Sequence, residues 1–218
     1  MSERISSIDI LTKNVNTLNC ENEKEVRVLE AAKTVFLRHG FRRVTMQDIA
    51  DEAGISRPAL YLIFPNKEEI FKAGFVWMTG ESMKVIRQGL AQLPDVEERL
   101  NFAFEVWTVR PFEMMLSTPD AKDLIDCTHG FARETGLRIS AEFEALLVEI
   151  LAPVSYQPHS AVLPVEQVAH LLAASIHGFK ESCATVEELR GMVAGLIRLT
   201  LAALEHAATK GIAARSAT

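Results

Sequence analysis

Between Phe41 and Phe71 the chain reads FRRVTMQDIADEAGISRPALYLIFPNKEEIF, and three helix-opening patterns are crowded into it. Thr45 precedes Asp48 by three residues and an apolar run follows. In that pattern a hydroxyl and a carboxylate each accept a backbone N–H that the helix start leaves free. Ser56 stands before RPALYLIF as an N-cap, with Pro58 tolerated in the first turn. Asn66 with Glu69 repeats the cap for the next helix. Helix N-termini attract phosphate, because their free N–H groups carry partial positive charge. Arg57 lies in the first turn after Ser56. Its guanidinium fork matches the O6/N7 edge of guanine, although a phosphate contact or a solvated Arg is the plain alternative. Pro58 and Ala59 are small apolar groups suited to thymine methyls, and Gln47 near the start of the preceding helix can reach a phosphate or a base edge.

These residues need short helices held at fixed angles. The helices between the caps are too short to be stable alone and must pack on one another. Ile49, Ala53, Ile55, Leu60 and Ile63 are spaced to share one small core, and Ala50 is small enough for the next helix to cross closely. Gly54 falls at the tight turn, where a positive φ is cheap only for glycine. A preceding helix over Glu25–His39 places Leu29, Ala32 and Phe36 on one face; Gly40 follows as its cap, and Phe41 packs back on Phe36. Two short helices joined by a Gly-containing turn are a helix-turn-helix, whose second helix, Arg57–Phe64, enters the major groove. A purely structural helical hairpin is the alternative, and it requires three caps, the glycine and the spacing to coincide.

Thr45, the run IADEAGIS from Ile49 to Ser56, Leu60-Tyr61, Phe64, Lys67 and Glu68 together resemble the tetracycline-repressor (TetR) family over about residues 25–72. The resemblance implies that Thr45, Tyr61 and Lys67 contact phosphates while Ser56 caps the recognition helix. For Tyr61, a partly buried core position is the alternative. The chain departs from the family at Ile63, where a polar or aromatic phosphate-binding residue is usual, and Leu62 beside it is also apolar.

The rest of the 218 residues reads as helix. Runs are expected from Lys67 to about Ala91, over Asp95–Trp107 with a break at Arg110-Pro111, from Pro119 onward, over Gly136–Leu151 ended by Pro153, over Pro164–Ser182 and over Val186–Ala208. A long loop is expected over Ala152–Leu163. Large side chains suit a ligand cavity as well as a plain core. The resemblance implies an effector cavity, for which Trp77, Phe102, Trp107, Met114 and Met115 are candidate walls, with His129 and Arg133 as polar anchors. The closing helices carry the stripes Val165, Val168, Leu172, Ile176, Phe179 and Leu189, Val193, Leu196, Ile197, Leu204, beside small residues such as Ala194 and Gly195. They suit a four-helix dimer interface over residues 164–208, unless the stripes face only their own body.

Composition narrows the classes. Hydrophobic residues at 48% and charged residues at 24% are globular. No stretch approaches a membrane span, and the N-terminus lacks a secretory pattern, so a cytoplasmic protein is expected. Cys20, Cys127 and Cys183 are too sparse for a disulfide framework or zinc module. Asp123, Asp126 and His129 do not share one helix face, so no metal is expected. Neither is a cofactor or a catalytic site: P-loop, GxGxxG, GxSxG and HExxH patterns are all missing. Residues 24–75 hold nine Lys/Arg against seven Asp/Glu, a net of +2, whereas residues 1–23 and 76–218 carry −2 and −6. The motif therefore lies in the least acidic segment. The expectation is an all-α fold: a flexible arm over 1–23, a three-helix helix-turn-helix DNA-binding domain over 24–72, and a helical effector-binding and dimerisation domain over 73–218. As a homodimer it would repress transcription from a roughly palindromic double-stranded operator and be released by a small apolar or amphipathic effector. An activator role is open on the same fold. An enzyme or a helical interaction protein with an attached DNA-binding module is the alternative.

Overall fold

The computed structural model describes residues 23–118, 121–155 and 163–215. The arm expected over 1–23, apart from Glu23, lies outside them, as do Pro119 and most of the expected loop over 152–163. Helix α1 (Glu23–His39) has acidic residues in its first turn and Arg38 and His39 in its last, which suits the helix dipole. It buries Val28, Leu29, Ala32, Val35 and Phe36. Gly40, at φ +75°, ends it by donating to the Phe36 carbonyl at 2.8 Å. Helices α2 (Met46–Glu52) and α3 (Arg57–Ile63) follow. The turn between them is a Schellman motif: Ile55 N–H donates to the Ala50 carbonyl at 3.0 Å and Gly54 N–H to that of Asp51 at 3.1 Å. Gly54 has the positive φ, +65°, that this motif requires.

Helix α4 (Lys67–Leu90) is followed by α5 (Val96–Phe104), a π-helical turn (Glu105–Val109) and α6 (Arg110–Leu116). The expected break at Arg110-Pro111 is thus a widened turn in a continuing helix, with Arg110 N–H donating back to the Glu105 carbonyl. Pro111 supplies the cause. It has no N–H, and its ring would crowd the carbonyl four residues back in a regular α-turn. After α7 (Ala121–His129), α8 (Arg133–Ser155) carries Pro153 inside its last turns rather than ending before it. Helices α9 (Val165–Ser182) and α10 (Val186–Arg215) close the described chain, and no strand occurs among the described residues.

Two compact units result. One runs to Gly80 and takes in Thr118–Gly136; the other comprises Glu81–Ser117 and the chain from Leu137 onward. Residues 73–80 and α7 fall in the first unit, beyond the division at 72/73 that the sequence suggests. The reason is visible in the contacts. Phe36, Phe41, Phe71 and Phe131 form a ring cluster with centroids 5.2–5.9 Å apart. Asp123 accepts from the backbone N–H of Arg42 at 2.6 Å and from its guanidinium at 2.9 Å.

The second unit is built around Leu100, Phe104, Phe143, Leu146, Leu147, Leu151, Leu172, Leu189 and Ile197. Phe143 meets Phe104 edge-on and Trp107 face to face. The stripes read as a dimer seam, Val168, Leu172 and Ile176 on α9 and Leu189, Val193, Ile197 and Leu204 on α10, are buried in this core. That part of the expectation is corrected: their apolar area is already covered within one chain. The exposed apolar residues on the same helices are different ones, Leu171 at 53%, Met192 at 47% and Leu199 at 72%.

Candidate nucleic-acid interface

Each helix of the reader starts where its cap dictates. Thr45 Oγ1 accepts from Asp48 N–H at 3.2 Å, while Asp48 Oδ2 accepts from both the backbone N–H and the hydroxyl of Thr45 at 2.8 Å. These bonds hold the Asp48 carboxyl below its ordinary pKa, the Thr45 backbone N–H contributing most. Ser56 Oγ accepts from Ala59 N–H at 3.3 Å. Asn66 Oδ1 accepts from Glu69 N–H at 2.9 Å. Ile49, Ala53 and Leu60 are buried beneath α2 and α3, with Ile55 and Ile63 only half-buried. The opposite side of each short helix is therefore held outward.

That outward side carries most of the expected contacts. Gln47, Ser56, Arg57, Pro58 and Tyr61 are exposed, and Ala59 is half-buried. Gln47 Nε2 donates to Asp51 at 2.7 Å, which uses one amide hydrogen and leaves the other free. Arg57 Nη2 lies 3.4 Å from the Tyr61 hydroxyl, and its guanidinium carbon 5.6 Å from the Tyr61 ring centroid. Tyr61 is thus a surface residue here rather than core. Leu62 is 89% exposed, an apolar tip on the same helix.

Lys67 is arranged otherwise than its expected phosphate role requires. Its ammonium donates to the carbonyls of Phe41 at 2.9 Å, Val44 at 3.0 Å and Arg42 at 3.3 Å, and it sits 4.5 Å from the Phe41 ring centroid. An ammonium has three N–H donors, and all three face the α1–α2 loop. Arg42 is likewise engaged, by Asp123 at 2.9 Å and Asp126 at 3.7 Å. The two carboxylates weighed as metal ligands therefore grip a cation of the reader. Cys127, beside them, is buried, and its thiol is pushed up to about 11, mainly by burial.

The residues chosen as effector-cavity walls fall into both units. Trp77 is half-buried, and His129 and Arg133 exposed, in the first; Phe102, Trp107, Met114 and Met115 are half-buried in the second. Within the second unit a cavity of about 300 Å³ is lined by Asn101, Phe102, Glu105, Val109, Arg190 and Val193. Of the chosen residues Phe102 lines it, whereas Trp107 is stacked on Phe143 at 4.6 Å. Arg190 and Glu105 meet at its edge in a two-pronged ion pair of 3.0 and 3.1 Å. They are 85 residues apart, a pairing that no local pattern announces. Arg138 was also missed: its Nε is buried without an acceptor.

Comparison with known proteins agrees with this geometry. The sequence model described as "Bacterial regulatory proteins, tetR family" matches residues 28–73. The HTH-type regulator YfiR of Bacillus subtilis is 46% identical over 52 residues, 24% of this chain and 25% of its own. The HTH-type transcriptional activator FasR of Mycolicibacterium smegmatis is 34% identical over 86 residues, 39% of each chain. The repressor KstR2 of the same organism is 28% identical over 103 residues, covering 45% of this chain and 50% of its own. The matched segments thus span from a quarter to a half of these relatives. Among solved structures, a TetR transcription regulator from Haloarcula marismortui superposes over 83% of this chain and 97% of its own, with a TM-score of 0.66 at 18% identity. The fatty acid degradation regulator FadR from Bacillus halodurans covers 83% and 96%, with a TM-score of 0.59 at 20% identity. Each of these relatives and neighbours carries the name of a regulator, an activator or a repressor. Residues 28–73 thus match the tetR family of bacterial regulatory proteins, and the fold is that of such regulators over four-fifths of the chain's length.

Proposed function

We propose that the chain is a cytoplasmic, homodimeric repressor that binds a roughly palindromic operator and leaves it when a small apolar or amphipathic effector occupies the helical body. The observation that carries the reading is the outward edge of α3. Arg57, Pro58 and Tyr61 are exposed on a helix fixed from beneath by the buried Leu60 and capped by Ser56. A capped, exposed helix of this kind suits the major groove, and two copies related by a two-fold axis suit half-sites one helical turn apart. The exposed Leu171, Met192 and Leu199 support pairing through α9 and α10. The cavity beside Phe102 joins the apolar Phe102, Val109 and Val193 to the polar Asn101, Glu105 and Arg190, a mixed lining that suits an amphipathic effector. An effector acts by preferring a state whose two α3 helices no longer match successive grooves. Within the reader's unit, α7 is tied to the α1–α2 loop by Asp123, which grips Arg42.

The test is a footprint of the purified chain on duplex DNA flanking its own coding sequence. Two protected half-sites about 10 base pairs apart are expected. Protection no stronger than on unrelated DNA, across all flanking segments, sinks the reading. The relatives include both an activator and a repressor. Transcription in vitro from the protected promoter is therefore the second arm: a fall supports repression, and a rise replaces it with activation.

A further inference from the structure

Arg57 and Tyr61 are four residues apart on α3, so their side chains lie over one another on the same face. Arg57 Nη2 donates to the Tyr61 hydroxyl at 3.4 Å, and the guanidinium stands 5.6 Å from the ring centroid, within cation–π range. Nearby cations of the reader are engaged differently. Arg38 faces Glu52, Arg42 faces Asp123 and Asp126, Lys67 faces three carbonyls and Lys72 faces Glu69. Arg57 has no ion pair among the described residues, and the group that meets its guanidinium is an aromatic hydroxyl.

That difference matters chemically. A carboxylate would neutralise the guanidinium and compete with guanine for it. A phenol and its ring hold the group without removing its charge. One of the five N–H donors is used, and four remain for a two-pronged contact with O6 and N7. A free arginine on an exposed helix samples many rotamers, and ordering it weakens binding about two- to tenfold. Tyr61 limits that sampling before DNA arrives. We propose that Tyr61 is a positioning residue for sequence reading, one that holds Arg57 at the base edge, rather than a phosphate contact that acts independently. The proposal rests on the operator-binding reading above.

The experiment selects a randomised duplex library with the full chain and with Arg57→Ala, Tyr61→Phe, Tyr61→Ala and the Arg57→Ala/Tyr61→Ala double variant. Arg57→Ala is expected to erase preference at one base pair per half-site, roughly fivefold to a hundredfold in discrimination. Tyr61→Phe keeps the ring and loses the hydroxyl. It should weaken preference at that same base pair about two- to tenfold, and Tyr61→Ala should weaken it further. The double variant should show no more relaxation at that position than Arg57→Ala alone. A uniform fall in affinity with an unchanged position profile makes Tyr61 a phosphate contact and overturns the proposal; so does relaxation at a different base pair. Failure of the unsubstituted chain to enrich any sequence overturns the operator reading itself, and is thereby distinguished from failure of the Tyr61 role alone.

Discussion

Lys67 shows how a residue's type and position can be legible while its role is not. A lysine heading α4 reads as one positive charge offered to DNA. In three dimensions it ties Phe41, Arg42 and Val44 to α4 through their carbonyls. Which carbonyls come within reach depends on how the α1–α2 loop folds over α4, and that pairing spans more than twenty residues. Lys67→Met should therefore lower stability by about 1–2 kcal/mol, because a charge-assisted cluster is lost from a half-buried site. It should leave the salt dependence of DNA binding unchanged. Loss of a phosphate contact would instead flatten the slope by about two for a dimer, so chemical denaturation and salt-titrated binding on one variant separate the roles. Asp48, by contrast, was fully legible, because its partners are three residues away. Its carboxyl is held low in the folded chain by the Thr45 N–H and hydroxyl. A depressed folded pKa contributes stability that is complete above the unfolded value of about 4 and fades as pH falls through the lowered one. Asp48→Asn should thus destabilise at neutral pH, and the difference from the parent should shrink on acidification below about pH 4. A difference constant from pH 7 down to the acid limb contradicts the capping account.

Helix ends set by local chemistry are legible in the sequence, and those set by packing are not. The glycine caps at Gly40 and Gly54 and the side-chain caps at Thr45, Ser56 and Asn66 all act within a few residues. Pro111 and Pro153 each favour a stop on local grounds, yet both lie in helices that continue. Around Pro111 the core residues Phe104, Val106 and Phe112 are buried on one side, and a single π turn keeps them there. Packing outweighs one lost backbone hydrogen bond in such a case. Gly89 near the end of α4 is another packing constraint. A Cβ at this position would overlap the ring of Phe102. Alanine gains about 1 kcal/mol in helix propensity over glycine, while forcing a packed ring aside costs about 1–3 kcal/mol. Gly89→Ala should therefore come out neutral to destabilising despite the propensity gain. Adding Phe102→Leu, which removes the obstructing ring edge, should make the alanine favourable. Urea denaturation of the two single variants and the double measures this as a coupling. Simple additivity would mean that Phe102 moves away freely.

At the scale of the whole molecule, the composition of α9 and α10 announced two well-packed apolar helices without saying what each side packs against. The stripes with the most regular spacing face their own chain, and the residues left outside form a sparser set. Leu199 is 72% exposed, while Ile197, two positions earlier, is fully buried. The pair therefore separates a folding role from an association role. Ile197→Glu places an uncompensated charge in the core of a single chain and should unfold it at any concentration. Leu199→Glu places the charge where the isolated chain meets water and should cost the monomer little. If two copies pair through this side of α10, as we propose, Leu199→Glu buries two like charges near the two-fold axis and the dimer separates. The helical signal in circular dichroism should then persist while sedimentation reports half the mass. Operator affinity should collapse with it, since a lone reader makes half the contacts and loses the gain of paired binding. A Leu199→Glu chain that sediments as a dimer moves the interface off this face of α10. One that is monomeric yet binds the operator with undiminished affinity removes the need for two half-sites, and with it the two-fold operator that the repressor reading assumes.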